Sequence, residues 1–185
     1  MSTQSLDQVF ENYFNEAKKF LEEALSEQRK NNPGNVLRYC RAAFLIGFSS
    51  LEAYINSICD DYVESYPQLS IHEKGFLSEV EVALDKDGSF SLTEKIKFNR
   101  LEDKILFIYQ KFSGGKIFDR TQLFWGQFSD ALKLRNNIVH PKSHYTVSIE
   151  ITEKALRSIL EVMNYISLAI HKSALPLYNR GLQSK

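Results

Sequence analysis

The sequence predicts an all-α protein, an up-and-down helical bundle with a four-helix core and additional short helices. Two observations lead to this prediction. First, the 185 residues include only 8 Gly and 4 Pro, which is few for a chain built of strands and tight turns. Second, apolar residues recur at steps of three and four over long stretches, the spacing that places them on one face of a helix. With 43% apolar residues, the chain can bury a core.

The length predicts one domain over residues 1–185, and the least apolar part, 67–92, is a candidate for a variable insertion. The formal net charge is zero, from 23 basic and 23 acidic residues. This balance excludes a broadly basic protein that coats nucleic acid without specificity. Any contact with nucleic acid must therefore be local.

The composition favours a cytoplasmic protein that does not enter a membrane. The first ten residues have neither the basic start nor the apolar run of a secretory signal. The longest uncharged apolar stretch, 42–51, is too short to span a bilayer. Cys40 and Cys59 lie in one helical pattern, roughly 28 Å apart. They cannot form a disulfide with each other, and we expect two buried, reduced thiols.

The first two helices are predicted on either side of a break at residues 31–34, Asn-Asn-Pro-Gly. The first runs from Leu6 to about Lys30 and has one apolar stripe. The second runs from about Asn35 to Tyr66, and between Ala42 and Phe48 its apolar residues spread round most of the circumference. A helix that is apolar on several sides is surrounded by others, so we expect this one to be central.

Two shorter helices are predicted from their start signals. Residues 70–73 and 91–94, each Ser-x-x-Glu, match the capping box, in which Ser and Glu satisfy exposed amide donors reciprocally. A turn is predicted between them at 85–88. The second helix is expected to run from Leu92 to about Phe112.

Two long helices complete the predicted bundle. Asp119 is expected to cap a helix that reaches about Val139. Apolar residues that alternate from Tyr145 to Ile151 then indicate an extended connector. Thr152 is expected to cap a last amphipathic helix.

One helix face carries a charge where an apolar side chain is expected. On a helix over 120–139, Arg135 lies about 20° from Phe128, in the middle of the apolar stripe. A guanidinium cannot lose its charge to escape burial, so it needs a partner, a phosphate or an opening to solvent. Such breaks of a local rule tend to mark functional sites.

His140 follows at the predicted end of this helix, because Pro141 disfavours helical backbone in the residue before it. A helix that unwinds here can bring the imidazole towards Arg135, with Asn136 placed to orient the ring. Arg offers a charged fork to phosphate oxygens, and His can move the proton of a ribose 2′-hydroxyl or of a leaving oxygen. This pair suits RNA cleavage without a metal or another cofactor.

Simpler explanations of these residues stay open. Arg135 is satisfied if it binds a buried carboxylate, and His140 if it is a partner of the helix dipole. His140 and His144 do not predict a metal site, because Pro141 separates them and no Cys or carboxylate cluster accompanies them. Tyr145 suits either stacking on a base or packing of the connector on the bundle.

The stretch 134–141, Leu-Arg-Asn-Asn-Ile-Val-His-Pro, resembles the signature of the HEPN superfamily (higher eukaryotes and prokaryotes nucleotide-binding domains). That signature is Arg, four to six residues and then His, usually with a polar residue directly after the Arg. Here four residues intervene, and the polar residue is Asn136. The segment 48–56 and the order of the helices are also similar to HEPN proteins of the bacterial defence and toxin type.

The resemblance implies a homodimer whose two Arg–His motifs face each other, and metal-independent endoribonuclease activity that leaves a 2′,3′-cyclic phosphate and a 5′-hydroxyl. It implies RNA as the partner, with tRNA and mRNA as candidates. It further implies a toxin–antitoxin or antiphage setting with a cognate antitoxin. Arg135 would hold the scissile phosphate, His140 would act as acid or base, and Asn136 would orient the pair.

Five further residues are supporting candidates for the same site: Glu52, Lys133, Lys142, His144 and Tyr145. Some members of the superfamily are inactive binding or assembly modules. The alternative function is therefore a non-enzymatic module that binds a nucleotide or a partner, and a third hypothesis is a purely structural helical protein.

Overall fold

The structure is a computed structural model that describes the backbone of residues 6–183 and the side chains of residues 9–183. What the sequence predicts for residues 1–5 and for the side chain of Leu6 lies outside these residues. In chain order the helices and strands are α1 (Leu6–Arg29), α2 (Pro33–Ser65), α3 (Ile71–Leu77), β1 (Val80–Leu84), β2 (Phe90–Ile96), α4 (Leu101–Phe112), α5 (Leu123–Val139), α6 (Ile149–Ile170) and a 3₁₀ helix (Tyr178–Arg180). The predicted all-α class is confirmed, since the sheet in this part of the chain is one two-stranded hairpin.

The chain forms two compact units. Of the described residues, the first unit contains those up to Ala53 and those from Asp119 onwards, and the second is Tyr54–Phe118. α2 contributes residues to both. The prediction of one domain over 1–185 with an insertion at 67–92 stays a prediction; residues 67–92 lie inside the second unit.

The first unit is built from α1, the first part of α2, α5 and α6. Phe14 of α1 is fully buried in its core. The rings of Phe48 on α2 and Phe128 on α5 lie 6.2 Å apart. α2 contacts α6 at Gly47, where an added Cβ would lie 2.3 Å from Cδ2 of Leu156. A side chain at this position would have to displace the buried Leu156 side chain, so this close contact favours glycine.

α2 has buried residues on several sides, as its apolar pattern predicts. By length and composition it could cross a membrane, which the length of the 42–51 stretch did not indicate. However, 61% of its apolar 18-residue window is buried inside the protein. The core helix of a soluble protein has the same properties, so α2 is weak evidence for a membrane span.

The second unit contains one confirmed capping box. Ser70 Oγ accepts a hydrogen bond from the Glu73 N–H, and the Glu73 carboxylate accepts one from the Ser70 N–H. α3 therefore begins where the sequence predicts.

The capping box predicted at 91–94 is wrong, because these residues lie in β2, which pairs antiparallel with β1. The predicted turn at 85–88 closes this hairpin, with Gly88 at a φ of 85°. The N–H and C=O groups of β2 form hydrogen bonds with β1, on the other side of the turn. The Ser-x-x-Glu spacing reports only on neighbouring residues and does not reveal this pairing. The next helix begins at Leu101 instead of Leu92.

The start of α5 lies four residues after the predicted cap. The Asp119 carboxylate accepts hydrogen bonds from the N–H and the hydroxyl of Thr121, at 2.9 and 2.6 Å. Asp119 therefore stabilises a tight turn before the helix, and the helix itself begins at Leu123.

The start of α6 lies before the predicted cap. Ser148, not Thr152, is the N-cap residue, and its Oγ accepts a hydrogen bond from the Ile151 N–H at 3.2 Å. The extended connector is shorter than predicted, because Ile149 and Ile151 belong to the first turn of the helix. Thr152 is fully buried and its hydroxyl donates to the Ser148 carbonyl at 2.8 Å.

Candidate functional site

The motif lies at the end of α5, where the apolar stripe of the helix reaches the surface. Trp125, Phe128 and Leu132 of this stripe are buried, whereas Val139, the last helical residue, is 45% exposed. Arg135 lies between the buried and the exposed ends of the stripe. The Arg135 side chain is therefore next to apolar residues and is partly exposed to solvent.

A carboxylate on α2 binds the Arg135 guanidinium. Arg135 Nη2 donates to Glu52 Oε1 at 2.6 Å. The side chains of Arg135 and Glu52 are 26% and 36% exposed. A short, charge-assisted hydrogen bond holds the guanidinium in place, while the exposed part of the pair stays open to an anion from solution. The structure thus brings together Arg135 and Glu52, as the sequence reasoning suggested.

Asn136 contacts the guanidinium with its side chain and His140 with its backbone. Asn136 Oδ1 accepts a hydrogen bond from Arg135 Nη1 at 3.2 Å. The Asn136 carbonyl accepts one from the His140 N–H at 2.9 Å. The side chain therefore supports Arg135, and its role in orienting the Arg–His pair stays a prediction.

His140 is the C-cap residue of α5, which ends at Val139 as the following proline predicts. Its φ of −120° and ψ of 68° are outside the helical region, and it is exposed. Within residues 9–183, no hydrogen bond joins the imidazole to the Arg135 guanidinium. The two groups share one helix end, and the imidazole is accessible to a substrate.

The remaining candidates lie on the surface around this helix end. Lys133 is bound to Asp130 at 3.1 Å, and both side chains are at least 75% exposed. Two residues along a helix are about 160° apart, so Lys133 points away from Arg135. Lys142 and His144 are exposed in the connector between α5 and α6. These residues make the surface locally basic, but of the five supporting candidates it is Glu52 that contacts Arg135.

Arg41 is a basic residue at this end of α5 that the sequence reasoning missed. Its Nη2 donates to the Tyr145 carbonyl at 3.2 Å, across 104 positions in the sequence. No local pattern signals a contact of such range. The two residues line an open groove of about 420 Å³, which we call the Arg41 groove; it is lined by Arg41, Ile138, Pro141, Ser143, His144 and Tyr145.

The two cysteines do not contribute to this surface, because both are buried. Cys40 and Cys59 are buried free thiols, as expected. Burial raises the pKa of Cys40, and it raises the pKa of Cys59 to about 12. Neither thiol is poised as a nucleophile, because the reactive form is the thiolate.

The helical fold and the Arg and His residues at the end of α5 are those that the sequence resemblance predicts. The family model described as RiboL-PSP-HEPN matches residues 9–172, from α1 through α6. The chain therefore belongs to this HEPN family, and the predicted membership of the HEPN superfamily is confirmed. No match is found among curated proteins or among solved structures. HEPN domains are frequently ribonucleases, and they commonly bind RNA and dimerise.

Proposed function

We propose that this protein is a metal-independent endoribonuclease that cuts RNA at a composite site, formed where two copies of the chain bring their Arg135 and His140 residues together. The observation that carries the proposal is the Arg135 guanidinium. It is held at 2.6 Å by Glu52, is 26% exposed, and lies at the same helix end as an exposed imidazole. Membership of a superfamily rich in ribonucleases supports the same conclusion.

Arg135 holds the scissile phosphate. Its bonds to Glu52 and Asn136 use two of the five N–H donors of a guanidinium, which leaves donors on the exposed side for phosphate oxygens. Because its position is fixed before the substrate arrives, the guanidinium can stabilise the charge that develops on the phosphate without reorganising. Glu52 and Asn136 act as positioning residues.

His140 moves the protons. As a base it removes the proton of a ribose 2′-hydroxyl, and the 2′-oxygen attacks the adjacent phosphorus. The bond from phosphorus to the 5′-oxygen breaks, and the imidazole of the second copy gives that oxygen a proton. The products are a 2′,3′-cyclic phosphate and a 5′-hydroxyl. Water is not consumed, and the guanidinium supplies the positive charge that a metal ion would otherwise provide.

The proposal includes a biological setting, a cytoplasmic toxin–antitoxin or antiphage system with a cognate antitoxin and with tRNA or mRNA as the target. Its support is the likeness of residues 48–56 and of the helix order to defence-type HEPN proteins. The composite site also requires a homodimer. Sedimentation at micromolar concentration should therefore show a dimer, and a monomer would contradict the composite site.

A non-enzymatic module that binds a nucleotide or a partner is the second candidate. One observation favours it: among the described residues, Arg135 is bonded to Glu52 and Asn136 and not to His140. Such a pocket can bind a phosphate without an assembled acid–base pair. It predicts saturable nucleotide binding that is lost in Arg135→Ala, with no cleavage by the parent protein.

The experiment that tests the proposed function is digestion of RNA by the purified protein in the presence of EDTA. We expect cleavage that EDTA does not reduce, and products that end in a 2′,3′-cyclic phosphate and a 5′-hydroxyl. His140→Ala should cut about 10²–10⁴ times more slowly, the usual contribution of a general acid or base. A His140→Ala protein that cuts as fast as the parent would contradict the proposal.

A further inference from the structure

We propose that the Arg41 groove binds the nucleotide next to the scissile phosphate of single-stranded RNA, with Arg41 on its phosphate and Tyr145 against its base. This inference rests on the proposed cleavage of RNA at Arg135 and His140. It adds to that function a binding subsite and a residue, Arg41, that no sequence motif identifies.

The position of the groove supports this assignment. Two of its lining residues, Ile138 and Pro141, lie on either side of His140 in the sequence. Pro141 is the next residue after His140, and consecutive Cα atoms are about 3.8 Å apart. The groove therefore begins one residue from His140, within reach of the nucleotide that neighbours a phosphate held at this histidine. The volume of about 420 Å³ is in the range of small-ligand pockets and suits one nucleotide.

The charge of the groove suits a phosphate. Arg41 is exposed, and its bond to the Tyr145 carbonyl uses one of its five N–H donors. Within the described part of the chain, no carboxylate lies within ion-pair distance of Arg41, in contrast to Arg135 with Glu52. None of the six lining residues is acidic, and exposed His144 offers a further polar group.

The apolar part of the groove suits an unpaired base. Tyr145 is half-buried, and Ile138 and Pro141 line the same groove. Binding of single strands combines basic groups along the backbone with aromatic rings on which bases stack. In a duplex the faces of the bases are already stacked, so a ring in a groove selects single-stranded RNA.

The first test replaces the charge of Arg41 and keeps a donor for the Tyr145 carbonyl. Arg41→Gln should raise KM for a short single-stranded oligoribonucleotide about tenfold, the worth of a hydrogen bond to a charged group. The slope of log KM against log salt should fall by about 0.7, because one phosphate contact is lost. The matched control is Arg157→Gln, which removes the same charge from an exposed position on α6 that lines a different pocket. It should match the parent.

The second test removes the aromatic ring of Tyr145. Tyr145→Ala should raise KM at least fivefold, because stacking on an aromatic side chain is worth about that or more per base. Tyr145→Phe keeps the ring and the backbone carbonyl that Arg41 binds. It should restore most of the binding that Tyr145→Ala loses.

The outcomes separate this inference from the proposed function. If Arg41→Gln and Tyr145→Ala keep the parent KM and salt slope while His140→Ala has lost cleavage, the groove assignment is overturned and the proposed function stands. If Arg41→Gln lowers kcat at an unchanged KM, Arg41 only holds the connector, and the assignment is overturned as well. If the parent neither binds nor cuts RNA, both proposals fail.

Discussion

Each compact unit holds a basic side chain in the apolar stripe of a helix, and the two side chains have similar partners but differ in their exposure to solvent. In the second unit, Lys104 of α4 has a side chain that is 5% exposed. Its Nζ donates to Asn56 Oδ1 at 2.7 Å and lies 3.6 Å from a carboxylate oxygen of Glu79. In the first unit, Arg135 is bound to Glu52 at 2.6 Å but is 26% exposed.

The comparison shows that a charge in an apolar stripe does not by itself identify a functional site. The reasoning that singles out Arg135 applies equally to Lys104, which precedes the buried residues Ile105 and Ile108. The two side chains differ in their exposure to solvent. A buried charge whose partners are internal contributes to folding, and its loss leaves those partners uncompensated. A charge that is held in place and open to solvent can also bind a ligand.

The largest effect is expected on the rate of RNA cleavage when the solvent-exposed Arg135 is replaced. Arg135→Ala should slow RNA cleavage by about 10³-fold, as removal of a donor that stabilises transition-state charge does. The free energy of unfolding should fall by less than about 1 kcal/mol, since the pair with Glu52 is partly solvated. Cleavage assays and urea titration measure the two quantities, with Arg157→Ala as the control for loss of a surface charge. A loss of several kcal/mol with no change in cleavage would make Arg135 structural, like Lys104.

Replacement of Lys104 should have the opposite result: a loss of stability with little change in the cleavage rate. Lys104→Met removes the buried charge at similar volume and should lower the free energy of unfolding by about 2 kcal/mol, because Asn56 Oδ1 loses its hydrogen-bond donor. The cleavage rate of the folded protein should stay within about twofold of the parent. Lys97→Met makes the same change at an exposed position of the same unit and should leave the urea midpoint unchanged. Equal midpoints for the two variants would contradict the structural role of Lys104.

The third prediction compares the cysteines, one in each unit. Burial raises the pKa of Cys40, and that of Cys59 to about 12, so both stay protonated at pH 8. We expect each thiol to react with iodoacetamide at least roughly tenfold more slowly in the folded protein than in urea, as followed by mass spectrometry of the peptides. Since the unfolded pKa is about 8.5, this contribution to stability is complete below that pH and is lost as the pH rises through the folded values. Labelling of the folded protein at the unfolded rate would contradict the burial.

The smallest effect is expected on the stability at acid pH, through the carboxylate of Glu73. A hydrogen bond from Lys111 and bonds from Ser70 lower the pKa of Glu73. Its contribution to stability is therefore present above the unfolded value of about 4.3 and is lost as the pH falls through the lowered pKa. Glu73→Gln keeps the capping geometry and should reduce stability at pH 7 by less than about 1 kcal/mol, with no loss at pH 3. Glu94→Gln, at an exposed strand position, should show neither effect. An equal loss at both pH values would contradict the charge as the cause.

The sequence predicted those features that depend on near neighbours. The end of α5 at Val139 follows from the proline two positions later, and the capping box at Ser70 from four consecutive residues. The hairpin was missed because β2 is stabilised by a strand on the other side of a turn.

The candidate site likewise contains one residue that the sequence could suggest and one that it could not. Glu52 could be suggested from its place at the edge of the α2 stripe, and it does bind Arg135. Arg41 could not, because its contact with Tyr145 spans 104 positions and depends on how α2 packs against the connector. Sequence periodicity reports the face of a helix and does not report which residue of another helix meets it.

The most direct measurement of the central claim uses two histidines that cap helices in the same way. His140 and His171 are exposed C-cap residues of α5 and α6, and their N–H groups donate to the Asn136 and Ser167 carbonyls at 2.9 and 2.8 Å. Replacement of either by Ala removes the same interaction with a helix dipole. RNA cleavage should fall about 10²–10⁴-fold in His140→Ala and stay within about twofold of the parent in His171→Ala. Equal rates for the two variants would show that His140 is a helix cap and no more, and would contradict the account.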